Sequence, residues 1–266
     1  MDVPLYFQQT IANGVTIDWG DGSATETLDG TDKVTTTHRY ASIGDYMISL
    51  DVVDGCTLGL GHESYSYCVM GSTGNNGIVY CNMLQKVEIG TGVTSIRISS
   101  FLNCNSLKSV TLPNSVTFIE TYAFRDCYSL SLITIPISVI SIALYVFQNC
   151  SSLSSITIPD SVTSIGSYVF NFCYSLPSLK IPNGVTSIGS ATFYNCYSMA
   201  YYDFTSHTAV PTLENTNAFT SIPADCKIIV PDNLYDTWIA ATNWSAYATY
   251  TIKKSDWDNL KQGGSL

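Results

Sequence analysis

The most informative feature of the sequence is a pattern of hydrophobic positions that repeats every 23 residues through the middle of the chain. Each unit reads roughly SLxSITIPxSVTSIGxxxFxxC, as in the stretch that ends at Cys173. One phenylalanine recurs in each of five units: Phe101, Phe124, Phe147, Phe170 and Phe193. Cysteines recur in the same register at Cys81, Cys104, Cys127, Cys150, Cys173 and Cys196. A fixed period of this kind predicts a solenoid, because one unit can bury its apolar face only against its neighbours.

The pattern within a unit predicts two short extended segments and a turn. The Leu-x-x-Ile-x-Ile stretch is typical of a β-strand whose alternate side chains point inward. Proline follows it in four units and ends the strand, since proline cannot donate to a β-ladder. Val-Thr-Ser-Ile predicts a second extended segment, and Phe-x-x-Cys turns the chain back. The side chains that point outward from the first strand form a row: Thr111, Thr134, Thr157 and Lys180.

With this pattern, residues 82–196 resemble the BspA-like (type 5) leucine-rich repeats of bacterial surface proteins. The departures are local: the first unit has Gly90 in place of the proline and Arg97 in place of the usual glycine, and the third unit has Ala143 there. The resemblance implies a β-rich, right-handed leucine-rich-repeat solenoid. It also implies a secreted or surface-anchored protein associated with adhesion to host or extracellular ligands.

The first 81 residues do not repeat. The segment VTIDWGDGS at 15–23 predicts a strand that leads into an Asp-Gly turn, and residues 38–52 predict a turn followed by an alternating strand. The motifs WGDGS and HxYxxxGxYxIxL in these segments together resemble the PKD-type immunoglobulin-like β-sandwich. The predicted organisation is a PKD-like sandwich at 1–55, a connecting segment and N-terminal cap at 56–81, five repeats at 82–196, and an irregular last repeat with a C-terminal cap at 197–266.

The C-terminal segment has the composition of a cap. Asp232 is a favourable N-cap for a helix that includes Tyr235 and Trp238. Trp244 and Tyr247 supply further apolar surface. Because a solenoid exposes its core at an open end, we expect this aromatic segment to cover that end.

The distribution of charge limits the partners. The net charge is −10, and residues 1–81 carry ten acidic side chains against Lys33 and Arg39. Residues 82–196 carry five basic and four acidic side chains, so the repeats are nearly neutral. No segment has the clustered Lys and Arg that phosphate groups attract, which argues against nucleic acid and anionic membranes. No apolar run reaches the ~18 residues of a membrane-spanning helix, so no direct membrane insertion is expected.

The start of the chain leaves two locations open. Met1-Asp2-Val3-Pro4 does not begin a signal peptide with its charged and then apolar stretch. The protein is then either cytoplasmic or an exported protein from which the signal has been removed. The type of repeat favours the second interpretation, so we expect a secreted or cell-surface location.

The residues that could support chemistry have simpler structural interpretations. A spacing of 23 is not a zinc pattern, and cysteine suits a tight buried turn, so the cysteine ladder predicts a reduced core rather than a metal site. Cys56, Cys68 and Cys226 lie outside the ladder, and their spacing does not decide whether Cys56 and Cys68 form a disulfide. Asp18 and Asp21 could bind calcium or shape their turn.

No enzyme is predicted. The histidines are His38, His62 and His207, and none lies in a nucleophile motif. We therefore expect no catalytic residue, no metal and no cofactor.

The outward face offers the candidate binding residues. One tyrosine set lies two residues before the phenylalanine (Tyr122, Tyr145 and Tyr168), and a second follows the cysteine (Tyr128, Tyr174 and Tyr197). Aromatic rings beside the threonine and Lys180 row suit a host or neighbouring-cell protein or glycan. The predicted function is a non-catalytic extracellular adhesion or recognition module, expected to be a monomer. The alternative is a structural spacer in a larger surface assembly, without its own ligand.

Overall fold

The computed structural model describes residues 2–31, 34–42, 48–53, 56, 58–60, 67–68, 71–72 and 84–262. Its main body is a β-solenoid, as the 23-residue period predicts. His62, Cys81 and the side chain of Cys68 lie outside the described residues, so the predictions that involve them stay open.

The N-terminal part consists of short strands that pair antiparallel. The strands are β1 (Asp2–Gln9), β2 (Val15–Asp18), β3 (Glu26–Thr27), β4 (Val34–Arg39), β5 (Ser49–Val52), β6 (Leu58–Leu60), β7 (Tyr67–Cys68) and β8 (Gly71–Ser72). Strand β1 pairs with β4 and β6, and β2 pairs with β3 and β5. Phe7, Ile17 and Trp19 are buried, and they belong to the same apolar cluster as the residues of the first solenoid coil.

Each of the five repeats contributes a first strand; the first four of these strands pair in parallel in one sheet, and the fifth pairs in parallel with a strand of the next coil instead. The first strands are β9 (Lys86–Glu88), β11 (Ser109–Thr111), β13 (Leu132–Thr134), β15 (Ser155–Thr157) and β17 (Ser178–Lys180). The second strands are β10 (Val93–Ile96), β12 (Phe118–Ile119), β14 (Ser141–Ile142), β16 (Ser164–Ile165) and β18 (Ser187–Ile188). They form a separate parallel ladder, in which Ile119 pairs with Ile142.

The ladders continue beyond Cys196, where the sequence repeat has decayed. The additional strands are β19 (Tyr201–Asp203), β20 (Thr212–Leu213), β21 (Lys227–Val230) and β22 (Thr251–Lys253). Strands β19, β21 and β22 follow β17 in a second four-stranded sheet, which is separate from the sheet of β9, β11, β13 and β15, and β20 extends the second-strand sheet. At the other end, β6 pairs in parallel with β10, so the N-terminal sheet is continuous with the solenoid.

The C-terminal end is covered by aromatic side chains, as the composition predicts. Helices α1 (Tyr235–Ala240) and α2 (Lys254–Gln262) flank a 3-10 turn at Trp244–Tyr247. Trp238 and Trp244 are fully buried, and the Trp244 ring N–H donates to the carbonyl oxygen of Pro211 at 2.7 Å. The indole N–H thus provides a hydrogen bond to the backbone carbonyl that directly precedes the strand Thr212–Leu213.

The expected N-cap role of Asp232 is wrong. Asp232 lies inside a 3-10 turn that begins after Pro231, and it makes no side-chain cap. Its carboxylate instead accepts the backbone N–H of Ser255 at 3.0 Å, at the start of α2. The aspartate therefore ties two separate segments of the cap together.

The core is built from columns of identical side chains. The ring centroids of Phe124 and Phe147 are 5.7 Å apart, and those of Phe147 and Phe170 are also 5.7 Å apart, with nearly parallel rings. Each of these rings is fully buried. Every phenylalanine inside the column therefore packs against its own copy on both sides.

The cysteine column has the reduced, buried character that the spacing predicts. The thiol of Cys150 donates to the carbonyl oxygen of Phe124 at 3.2 Å, and that of Cys173 donates to Phe147 at 3.3 Å. Burial raises the pKa of both thiols well above the ordinary value, and it raises the pKa of Cys196 to about 12. These thiols are therefore held as protonated hydrogen-bond donors.

The carboxylates of the Asp-Gly turn have structural partners. Asp18 accepts the N–H of Gly20 at 2.8 Å, and Asp21 accepts that of Ser23 at 3.0 Å. The second oxygen of Asp21 lies 2.8 Å from Nε2 of His38. Hydrogen bonds from Ser23 and His38 lower the pKa of Asp21 from 3.8 to about 2. Both carboxylates therefore make the turn-shaping contacts that the sequence allows at these positions.

We predict that Phe147→Ala lowers the free energy of unfolding by about 3–5 kcal/mol, because it leaves a cavity between two stacked rings. Chemical denaturation followed by circular dichroism measures this change. Thr134→Ala, at an exposed strand position, is the control and is expected to change stability by less than about 0.5 kcal/mol. Equal effects of the two substitutions would contradict the stacked-column description.

We also predict a pH-dependent role for Asp21. Because its folded pKa is below its unfolded value, the carboxylate stabilises the N-terminal strands above pH 3.8, and the stabilisation is lost as the pH falls from 3.8 towards 2. Asp21→Asn should therefore accelerate hydrogen exchange in β2 and β4 at neutral pH, and the difference from wild type should vanish near pH 2. Asp51→Asn controls for the loss of one surface carboxylate; a pH-independent difference at Asp21 would contradict the linkage.

Candidate functional site

Tyr122, Tyr145 and Tyr168 form a stacked ladder in the turn after the second strand. The ring centroids are 5.0 Å apart for Tyr122 and Tyr145 and 4.7 Å apart for Tyr145 and Tyr168. Each side chain is half-buried rather than fully projecting. Since the rings cover each other's faces, the accessible surface that remains is formed by ring edges and phenol groups.

All three tyrosines have a left-handed backbone, with φ of 61°, 59° and 61°. This conformation points the N–H of each tyrosine at a carbonyl oxygen of the next coil; the N–H of Tyr168, for example, lies 2.8 Å from the oxygen of Ser190. A left-handed residue with a side chain costs about 1–2 kcal/mol, and bulky residues rarely accept it. The backbone therefore requires the conformation but does not select tyrosine.

A second column of residues with a left-handed backbone shows which residue types this conformation favours. It contains Asn103, Asp126, Asn149, Phe172 and Asn195, with φ near 60°. Four of the five are Asn or Asp, the residue types that tolerate this region best. Backbone geometry therefore does not explain why Tyr122, Tyr145 and Tyr168 have aromatic side chains.

Burial is the main influence on the pKa values of two of the tyrosines, Tyr145 and Tyr128. The guanidinium of Arg125 lies 5.3 Å from the Tyr122 ring centroid, and its Nε is 3.3 Å from the Asp126 carboxylate. Burial, followed by the neighbouring phenols, raises the pKa of Tyr145. Burial and Asp126 raise the pKa of Tyr128. Both hydroxyls therefore stay protonated at neutral pH and can donate as well as accept hydrogen bonds.

The second tyrosine set is exposed and interrupted. Tyr128, Tyr174 and Tyr197 are all exposed, and the last two stack with centroids 5.4 Å apart. Ser151 occupies this position between Tyr128 and Tyr174. The set is thus a stacked pair and a single ring two coils away, not one continuous row.

The threonine and lysine row is exposed as expected. Thr111, Thr134, Thr157 and Lys180 lie on successive first strands, and Thr134 pairs with Thr157 in register. Acidic residues occupy the same position at both ends, because Glu88 pairs with Thr111 and Asp203 with Lys180. The three predicted sets therefore occupy different segments of the coil.

Two shallow hollows lie on the second-strand face, and none of the ten predicted residues lines either of them. At the end of one, the Glu214 carboxylate accepts the hydroxyl of Ser167 at 2.8 Å and the backbone N–H of Ser190 at 2.6 Å. Glu214 occupies the position that is glycine in the fourth and fifth coils, because its backbone N–H donates to the carbonyl oxygen of Ile188, as that of Gly189 donates to Ile165. The sequence does not reveal this equivalence, because the spacing after Cys196 is no longer 23.

The histidines have structural surroundings where the structure describes them. His38 stacks on Trp19 with centroids 4.8 Å apart and bonds Asp21. His207 is buried in the C-terminal cap, where burial lowers its pKa. Among the described residues, no group of three or more His, Cys, Asp or Glu side chains could hold a metal ion. The helices that the structure describes are too short or too polar to cross a membrane.

Comparison with known proteins shows which family the repeats are similar to. Residues 72–200 match the BspA type leucine rich repeat region in six copies. A search of curated proteins found no match.

Among solved structures, a leucine-rich repeat protein from Bacteroides ovatus is 29% identical, with a TM-score of 0.47 over 64% of this chain and 46% of that one. The T. pallidum leucine-rich repeat protein is 28% identical (TM-score 0.44; 58% and 81%). A leucine rich cell surface protein from Faecalibacterium prausnitzii is 32% identical (TM-score 0.41; 50% and 42%). The chain thus spans less than half the length of the first and third. The similarity to BspA-type leucine-rich repeats thus lies in its central part, residues 72–200.

Proposed function

We propose that the chain is a non-catalytic recognition or adhesion module that binds a protein or glycan through the tyrosine ladder. The observation that carries the proposal is the left-handed backbone of Tyr122, Tyr145 and Tyr168. Asparagine would fit this backbone at lower cost, yet three successive coils have tyrosine. Strain retained at a partly exposed position is typical of functional sites.

The geometry of the ladder supports a particular mode of binding. Because the ring faces are stacked 4.7–5.0 Å apart, a sugar ring or aromatic side chain cannot lie flat between them. The ladder offers a row of phenol hydroxyls at nearly constant spacing instead. Such a row suits an extended ligand with regularly placed hydrogen-bond donors and acceptors, such as a glycan chain or a polypeptide backbone.

The exposed pair offers a complementary contact. Tyr174 stacks on Tyr197 on one side, while the preceding coil has Ser151 at the same position. The outer face of Tyr174 is therefore not covered by an equivalent ring. We propose that this pair and the row of Thr111, Thr134, Thr157 and Lys180 extend the surface used by the same ligand.

The family supports an exported location. BspA-type repeats are associated with bacterial surface proteins, and we propose that this chain is secreted or displayed on the cell surface. We further propose that residues 1–55 are a PKD-like sandwich that spaces the solenoid from its attachment. The antiparallel strands β1 to β5 and the buried Trp19 are consistent with that unit.

We predict that the triple variant Tyr122→Asn, Tyr145→Asn and Tyr168→Asn loses at least tenfold in affinity for the ligand. Asparagine fits the left-handed backbone, so the loss of ring stacking is offset and the melting temperature should change little. Binding is measured on a glycan array and on immobilised host and bacterial surface proteins. The best ligand is then titrated by calorimetry.

The matched control replaces the other set, as Tyr128→Ser, Tyr174→Ser and Tyr197→Ser, with the residue that the chain itself has at Ser151. We expect a smaller loss of affinity, because these rings lie outside the ladder. If the wild-type chain binds nothing on either surface, the chain is a structural spacer. If the asparagine variant binds as well as wild type, the ligand uses another surface and the ladder is not the binding site.

A further inference from the structure

The tyrosine ladder ends at Tyr168, and one face of that ring has no aromatic neighbour. The equivalent position of the fifth coil has Ala191, which keeps the left-handed backbone with a φ of 50°. The Ala191 side chain ends at Cβ and is buried, so it supplies no ring to stack on Tyr168. Tyr145 covers the other face, with ring centroids 4.7 Å apart. Among the residues that the structure describes, no second ring and no cation lies over Tyr168, so its outer face is available to a ligand.

The opposite end of the ladder is closed by a cation. The guanidinium of Arg125 lies over the Tyr122 ring, 5.3 Å from its centroid. Tyr145 stacks on the same ring at 5.0 Å, and a ring and a guanidinium cannot occupy one face. Both faces of Tyr122 therefore have a neighbour, and the two ends of the ladder differ.

An amide side chain lies beside the open end. The coil after the fifth repeat, which we call the sixth coil, is longer than the others, since Phe219 stacks on Phe193 after 26 residues instead of 23. Its Asn217 uses Oδ1 to accept the backbone N–H of Ala191 at 2.8 Å and the hydroxyl of Ser190 at 3.0 Å. These two donors fix the orientation of the amide. Within the described part of the chain its Nδ2 group has no acceptor, so it can donate to a ligand.

A carboxylate lies between the fifth coil and the coil of Tyr168. Oε2 of Glu214 accepts the backbone N–H of Ser190 at 2.6 Å and the hydroxyl of Ser167 at 2.8 Å. Ser167 directly precedes Tyr168, so these bonds hold the carboxylate close to the end of the ladder. Glu214 is exposed, and no donor of the described residues reaches its Oε1. The open ring face thus lies near a hydrogen-bond acceptor and a donor that are held in place.

We propose that the outer face of Tyr168 is a subsite for one pyranose ring of a neutral glycan. The inference rests on the proposed function, which it narrows to a glycan and to one end of the ladder. A pyranose presents C–H groups on its faces, and these suit the negative face of an aromatic ring. Its hydroxyls both donate and accept, so they match Oε1 of Glu214 and Nδ2 of Asn217.

The polar groups favour a sugar over an aromatic side chain of a protein partner. Such a side chain could also stack on Tyr168, but its hydrocarbon edge would bury the Glu214 carboxylate without a partner, which is costly. A sugar that carries a carboxylate is disfavoured too, because it would approach Glu214 on a chain of net charge −10. The subsite therefore selects neutral sugars.

The larger hollow on the second-strand face adjoins the subsite. Its volume is about 500 Å³, and Ser167 and Glu214 are among its lining residues. The hydroxyls of Ser164, Ser187 and Thr212 line the rest of it together with aliphatic side chains. A glycan of more than one residue can therefore continue from Tyr168 past Glu214 into this hollow.

Saturation-transfer NMR with the full chain tests the subsite. The probes are glucose, galactose, mannose, N-acetylglucosamine and their neutral disaccharides. Tyr168→Asn removes the platform on a backbone that suits asparagine, and we expect binding of the best probe to weaken at least about tenfold. Tyr145 cannot replace the lost ring, because it lies one coil further from Glu214. Tyr122→Asn makes the same change at the closed end and should weaken binding less than about twofold. Thermal denaturation followed by circular dichroism checks that both variants keep the fold.

The outcomes separate this subsite from the wider proposal for the ladder. A wild-type chain that binds none of the probes, or a Tyr168→Asn variant that binds them as well as wild type, overturns the subsite. Equal losses in the two single variants also overturn it, because the ligand then runs along the ring edges and the ladder remains its binding site. If the triple asparagine variant also binds as well as wild type, the ladder proposal fails as well.

Glu214→Gln tests the carboxylate separately. Glutamine keeps the size and the acceptor oxygen that holds Ser190, but it removes the charge. The preference of the chain for glucose over glucuronate should therefore fall by at least about fivefold. Glu120→Gln, at the equivalent position of the second coil, is the control and should leave the preference unchanged. An unchanged preference in Glu214→Gln, or an equal fall in both variants, contradicts the role of Glu214 in the subsite.

Discussion

The structure depends on the stacking of each residue on its own equivalent in the next coil. Backbone hydrogen bonds join the coils along both strands and through the turns, so the 23-residue register is enforced at many points. Inside, the phenylalanine rings stack at 5.1–5.8 Å, and the thiols donate to carbonyl oxygens of the preceding coil. One coil has little stability alone, since its buried face exists only between two neighbours.

The same stacking explains the composition of the surface. An outward residue that repeats in every coil lies about 4.8 Å from its copies, and a column of equal charges would repel at that distance. Serine and threonine avoid the repulsion and add hydrogen bonds, as Ser138 and Ser161 do by donating to Val116 and Val139. The few charges of the repeats are therefore single residues such as Arg97 and Lys180, and most acidic residues lie in the flanks.

Because the repeat is so regular, positions at which the side chain differs from the one that the backbone or the repeat favours are easy to identify. The tyrosine ladder keeps three large rings on a backbone that suits asparagine. Phe118, Ile137 and Ile140 replace polar residues of the repeat and remain exposed. Both ends of the solenoid are covered, by the N-terminal sheet through β6 and by the buried indoles of Trp238 and Trp244, so the repeats need no neighbour for their core.

The sequence by itself determined the period, the two strands of each coil, the buried phenylalanine and cysteine columns and the exposed threonine row. It could do so because these properties depend on side-chain polarity at a fixed spacing. Tertiary structure decided what spacing does not encode. The left-handed turn that half-buries Tyr145 results from backbone hydrogen bonds between coils. The continuation of the sheets to β22, the contact of Asp232 with Ser255 and the place of Glu214 in the glycine column depend on chain paths that have lost the repeat. The two hollows on the second-strand face exist only because several coils, each with small residues, lie side by side.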